Sequence, residues 1–186
     1  MTIHHRKSCK SYNNPGEAHE LTFSCYRRLR LLSRDRTRGW FIEVLDRARY
    51  LRGFELWAYV IMPEHVHVLL FPKEPTCSTA AIRTSIKLPV ARKTIEWLRE
   101  NKSSWLRRLE CIWPSGRRGY HFWQPGGGYD RNVVKLDTAW TAMEYIHNNP
   151  VRRGLVATPC DWAWSSAGWY HGYSDWLIKM DAIPSW

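Results

Sequence analysis

Apolar and polar positions divide the chain into stretches with a period of two and stretches with helical spacing. Residues 19–25 (HELTFSC) alternate and predict a first strand. Residues 39–51 place Phe41, Val44, Leu45 and Ala48 one helical turn apart with polar residues between them, the pattern of an amphipathic helix. Two apolar, β-rich runs follow at 54–62 and 66–71, separated only by Pro63, Glu64 and His65, which predicts a hairpin. Residues 79–99 return to helical spacing through Ile82, Ile86, Val90 and Trp97, and Pro89 is expected to kink or split that helix. Residues 101–118 are a basic connector, 119–124 a short strand that Gly126, Gly127 and Gly128 end, and 135–149 a last helix that Pro150 stops.

The predicted order is βαββαβα. It gives an α+β fold, a ferredoxin-like split βαβ arrangement with a central antiparallel sheet and packed helices. A chain of 186 residues supports one core of ordinary size. Residues 19–168 form that domain, flanked by a polar, aperiodic basic arm (1–18) and a Trp-containing C-terminal tail (169–186).

Charge narrows the class of partner. Twenty-eight Lys and Arg against seventeen Asp and Glu leave a net charge of +11, so a polyanion is the natural ligand, and nucleic acid is favoured over a membrane surface. No apolar run approaches the roughly 20 residues that span a bilayer, and the N-terminal residues lack the apolar centre of a secretory signal. A cytoplasmic protein with no membrane association is the expectation. The five cysteines (Cys9, Cys25, Cys77, Cys111, Cys160) are odd in number and form no Cys-x-x-Cys pair, so they are expected to be reduced and to fill space. Residues 27–38 carry six arginines and one aspartate, which suits either a solvated loop or phosphate contact, beginning with Arg27 and Arg28. Five of the twelve tryptophans (Trp162, Trp164, Trp169, Trp176, Trp186) fall in the last 25 residues. They either seal the tail onto the body or stack on unpaired bases.

Two features carry candidate chemistry. His65 and His67 are two apart on the second hairpin strand, so both imidazoles project from one face while Val66, Val68 and Leu70 point to the other. Such a pair chelates a metal ion, or arises by chance on a half-exposed strand. On the last helix, Leu136, Ala139, Trp140, Met143 and Ile146 form an expected core stripe. Tyr145 lies nearly opposite, among Thr138, Thr141 and Ala142, with Asn149 one turn further on. His147 is about 160° from Asn149 and is a poor co-ligand.

The residues then show a resemblance. Residues 59–70 (YVIMPEHVHVLL), Phe122 to Gln124 with Tyr129, Asp130 and Arg131, residues 145–156 (YIHNNPVRRGLV) and 162–166 (WAWSS) are similar to the REP-associated tyrosine transposases, relatives of the single-strand insertion-sequence transposases with a His-hydrophobic-His signature. The likeness spans roughly residues 19–167, with four motifs in order. It implies that His65 and His67 bind metal, that Tyr145 is the catalytic tyrosine, and that Asn149 is a polar third ligand. The family often has Asn before its first His. Here Glu64 stands there, and strand alternation is expected to turn it to the opposite face. Arg152 and Arg153, directly after the tyrosine helix, and Arg131 are candidate phosphate contacts.

The implied activity is metal-dependent cleavage and rejoining of single-stranded DNA, next to hairpins of the REP type, through a 5′-phosphotyrosine. Transesterification needs an oxygen nucleophile, charge stabilisation at phosphorus and alignment. A phenol, whose ordinary pKa is about 10, must shed its proton in the reaction. The covalent ester conserves the bond's energy, in keeping with the absence of a Gly-x-x-x-x-Gly-Lys-Ser/Thr phosphate loop. Imidazole with amide and phosphate oxygens suits Mg²⁺ or Mn²⁺. The sequence also admits a silent binder of structured single strands, a replication-initiator or relaxase-type nickase, and a metal hydrolase that leaves Tyr145 idle. A monomer and a homodimer are both open.

Overall fold

The computed structural model describes residues 14–174 and 176–184. The first strand, β1 (Ala18–Ser24), leads through a turn of 3-10 helix at Tyr26–Arg28 into helix α1 (Asp35–Arg52). Strands β2 (Phe54–Ile61) and β3 (His65–Pro72) form the expected hairpin, and α2 (Thr79–Glu100) follows. A one-turn helix α3 (Trp105–Arg108) precedes a small ribbon, β4 (Glu110–Ile112) with β5 (Arg118–Tyr120). Strand β6 (Tyr129–Val133), helix α4 (Leu136–His147) and the one-turn helices α5 (Asn149–Arg152) and α6 (Ala167–Tyr170) complete the order.

The main sheet runs β2-β3-β1-β6 with every neighbour antiparallel. Counting only its own strands, this is the split βαβ arrangement the periodicity predicts, with α1 and α2 on one face and α4 on the other. On the first face Leu21, Phe23, Val66, Val68 and Leu70 meet Phe41 and Leu45 of α1 and Ile82, Ile86 and Val90 of α2. On the second, Ala58, Val60 and Leu69 meet Ala139, Ala142, Met143 and Ile146 of α4.

Several expectations are corrected. The fourth sheet strand is β6, and residues 119–124 give only the end of the β4–β5 ribbon and an isolated bridge of Trp123 to Cys25. Apolar alternation misses β6 because ion pairs bury it: Asp130 is 2% exposed and held by His19 and Arg83. Pro89 neither kinks nor splits α2, which is one helix of 22 residues. It sits on the exposed side, where water can replace the donor it lacks. In α4 Trp140 leaves the core stripe at 40% exposure, and His147 is buried. The helix is rotated so that His147 Nε2 reaches Ser166 Oγ, 2.8 Å away.

The C-terminal segment is part of the body. Residues 164–166 lie along the outer edge of β2: Ile61 N–H donates to Trp164 O, Tyr59 N–H to Ser166 Oγ, and Ser166 N–H back to Tyr59 O. That covers backbone groups an edge strand would otherwise offer to another chain. Ile178 and Met180 enter one core and Ile183 the other. Trp164 and Trp169 pack on the first core, and Trp162 Nε1 donates to Ile61 O. Trp186 and most of the N-terminal arm lie outside the described residues. No helix among those described is long and apolar enough to cross a membrane.

Candidate active site

The register of the two central strands sets the site. Thr22 faces His67 and Ser24 faces His65 across β1 and β3, all four on the α4 face of the sheet. Alternation sends Val66 and Val68 into the opposite core, which fixes the strand and leaves the histidine face nowhere to slip. The imidazoles pack edge to face with ring centroids 4.9 Å apart.

Each ring has its Nδ1 engaged from behind. His67 Nδ1 is 2.8 Å from Thr22 Oγ1, and His65 Nδ1 is 3.2 Å from Glu64 Oε1. The two Nε2 atoms are thereby turned toward the cavity, the arrangement in which an outer partner fixes tautomer and ring orientation. Glu64 does not turn to the opposite face. The alternation fails at the hairpin corner, and the carboxylate backs His65 while accepting from Arg153 Nη2 at 2.9 Å. Burial pushes the pKa of both histidines down, that of His67 to about 3, with the neighbouring His65 adding to the effect. Burial thus favours the neutral form of both rings, the form that binds metal.

Helices α4 and α5 bring the remaining groups. Asn149 is buried, with Nδ2 3.2 Å from His67 Nε2. Tyr145, half exposed, stands perpendicular to His67 with ring centroids 5.7 Å apart, and the Arg152 guanidinium lies 4.8 Å from the centre of the phenol ring. Tyrosine, histidines and asparagine meet within one protomer. They line an open cavity of about 330 Å³ together with Thr22, Ser24, Arg28, Arg152 and Arg153.

Arg131 and Arg27 fall outside that cavity. Arg131 pairs with Glu20 at 2.7 Å on the same sheet face, and Arg27 lies over the Tyr26 ring. Sequence reasoning misses Thr22, Ser24 and the supporting role of Glu64. The first two are signalled only by the register of β1 against β3.

The donor set fits a divalent cation: two imidazoles whose Nε2 atoms face the cavity, that of His67 touched by the Asn149 amide, which can turn its oxygen inward as a further ligand, and an open side for phosphate oxygens. Among the described residues no cluster of three or more His, Cys, Asp or Glu competes with it. Among the described residues, the charged side chains lining the cavity are the arginines.

No protein-family model matches the chain. A Haemophilus influenzae protein provisionally named a REP-associated tyrosine transposase is 27% identical over 144 residues, which cover 73% of this chain and 76% of that protein. A solved structure of a REP-associated tyrosine transposase bound to a REP hairpin has a TM-score of 0.66 and 18% identity, over 97% of this chain and 100% of that one, a likeness of fold. The chain is thus similar in sequence to one protein provisionally named a REP-associated tyrosine transposase and shares its fold with a solved structure of another.

Proposed function

We propose that the protein is a metal-dependent transposase and endonuclease of single-stranded DNA, cutting and rejoining beside hairpin elements through a 5′-phosphotyrosine on Tyr145. One observation carries the reading: Tyr145 stands edge-on to His67, beside His65 and Asn149, in a cavity that Arg28, Arg152 and Arg153 line.

His65, His67 and Asn149 would hold Mg²⁺ or Mn²⁺, which when bound supplies Lewis acidity at the phosphoryl group. The protein's own residues supply the rest. Thr22 and Glu64 keep the imidazoles in place, and Arg28, Arg152 and Arg153 neutralise and align the phosphates on either side of the scissile one. The Tyr145 oxygen attacks phosphorus as its proton leaves, forming a bond to the 5′-phosphate while the bond to the 3′-oxygen breaks and that oxygen is protonated. Reversal with a different 3′-hydroxyl regenerates the phenol and joins the strands, so no nucleotide energy is consumed. A single strand next to a hairpin is the economical substrate, since duplex would first have to be opened.

The test mixes protein, Mn²⁺ and an end-labelled oligonucleotide carrying a hairpin and a single-stranded flank. The expected product is a covalent protein–DNA band on a denaturing gel, absent with Tyr145→Phe. Equal cleavage by that variant overturns the proposal. DNA binding without any covalent product, with either metal, indicates a binding protein instead.

A further inference from the structure

A second cavity, of about 600 Å³, lies between the start of α1 and the end of α2, away from the tyrosine. Its wall carries three arginines, Arg30, Arg34 and Arg36, and two indoles, Trp97 and Trp105, and among the described residues no acidic one. Among the described residues none of the three arginines is ion-paired. Arg36 lies over Trp97, its guanidinium carbon 3.3 Å from the ring centre, so this cation is held in place before any ligand arrives. Trp105 is 37% exposed. Two hydroxyls in the lining, Ser33 Oγ and Thr94 Oγ1, are buried without a hydrogen-bond partner, and Thr94 is only 5% exposed. A buried hydroxyl left unpaired costs about 1–3 kcal/mol unless a ligand or water completes it.

This cavity is joined to the tyrosine site. Arg28 and Arg153 line both the active-site cavity and a neighbouring groove past Pro63 and Glu64, and Arg30 lines both that groove and the α1–α2 cavity. Cationic side chains thus mark a continuous route from Tyr145 round the corner of the β2–β3 hairpin to the two indoles. Indoles with fixed guanidinium groups beside unpaired hydroxyls have the composition of a nucleotide pocket: apolar rings for the base face, arginines for the phosphate, hydroxyls for a base edge or sugar.

We propose that the α1–α2 cavity binds one unpaired nucleotide of the single-stranded flank, with the intervening phosphates following Arg153, Arg28 and Arg30. This rests on the single-strand reading above, and it adds a site that selects substrate by position at a distance from the reacting phosphate.

The experiment measures binding without cleavage. The Tyr145→Phe protein in EDTA is titrated with hairpin oligonucleotides in which each flank nucleotide in turn is made abasic. One position is expected to weaken binding about tenfold, the loss typical of removing one stacked base, while the others change little. That position-specific loss should shrink to near nothing in Trp105→Ala and, independently, in Arg34→Gln, both exposed side chains whose removal spares the core. A flat abasic profile, or a position-specific loss that persists in both variants, overturns the pocket. Covalent chemistry is not read here. The adduct is assayed separately on the unsubstituted protein with Mn²⁺: a flat profile alongside an adduct there defeats the pocket alone, and a sensitive position with no adduct there defeats the transposase reading alone. Failure to bind any of the oligonucleotides defeats both.

Discussion

Thr22 Oγ1 lies 2.8 Å from His67 Nδ1, so a strand with no chemistry of its own sets which nitrogen of the imidazole faces the site. Replacing Thr22 by Val keeps the shape and removes the partner. The ring is then free to turn or to exchange tautomers. Loss of an outer partner of a ligating histidine typically costs 10- to 100-fold in metal affinity, and we expect about tenfold for Thr22→Val, read as the Kd for Mn²⁺ by calorimetry. An unchanged Kd would mean that Nδ1 needs no fixing.

The turn after β1 offers a contrast between neighbours. Arg27 and Arg28 both have φ of 52°, a left-handed conformation that costs a side-chain-bearing residue about 1–2 kcal/mol. The turn is held by hydrogen bonds from Tyr26 N–H to Phe122 O and from Arg27 N–H to Gln124 Oε1. Glycine at either position should relieve the strain and raise unfolding stability by about 1 kcal/mol. Only Arg28 lines the active-site cavity. Arg28→Gly is expected to weaken DNA binding and to reduce the slope of log affinity against log salt by about one, while Arg27→Gly leaves both unchanged. Equal slopes for the two variants would remove Arg28 from the phosphate path.

Residue periodicity reveals the parts of this fold that are buried by apolar side chains, and fails where burial is achieved by charge. Strands β1, β2 and β3 and the histidine pair are readable because Val66, Val68 and Leu70 declare which face is core. Helix α1 starts earlier than its apolar stripe indicates, at Asp35, because its first turn is buried through Arg38, 8% exposed and lying against Trp162 and Trp164. Strand β6 reads as polar for the same reason. The pairing of Tyr145 with His67 comes from the resemblance and the helix face together. The support given by Thr22 and Glu64 depends on register and on a corner where alternation breaks, which no single-chain pattern reports.

Gly128 has φ of 73°, and a Cβ there would stand 2.2 Å from the carbonyl oxygen of Thr22. The contact is with backbone, which has no flexible end to move away. Gly128→Ala should therefore cost more than the conformational penalty alone, about 2–3 kcal/mol in urea unfolding, and should disturb Thr22 and with it the histidine site. Native stability with altered DNA binding would place the glycine's role in the ligand rather than in the fold.

Asp130 is the buried anchor of β6. Its Oδ1 is 2.9 Å from His19 Nδ1, and its other oxygen accepts from Arg83 Nη1 of α2, tying the edge strand to the helix layer. It belongs to the Tyr129-Asp130-Arg131 segment on which the sequence resemblance partly rests, yet it faces the α1–α2 side of the sheet, away from Tyr145. Its role is accordingly structural. Removing one partner of a buried ion pair strands the others, at a cost of about 3–5 kcal/mol, a large part of the total for a domain of this size. Asp130→Ala should lose that much stability, and Asp130→Asn less, because the amide oxygen can still accept from Arg83. Any Asp130→Asn protein that remains folded should form the Tyr145 adduct at the normal rate when assayed well below its melting temperature. A fully stable Asp130→Asn protein with no adduct would instead put Asp130 in the chemistry.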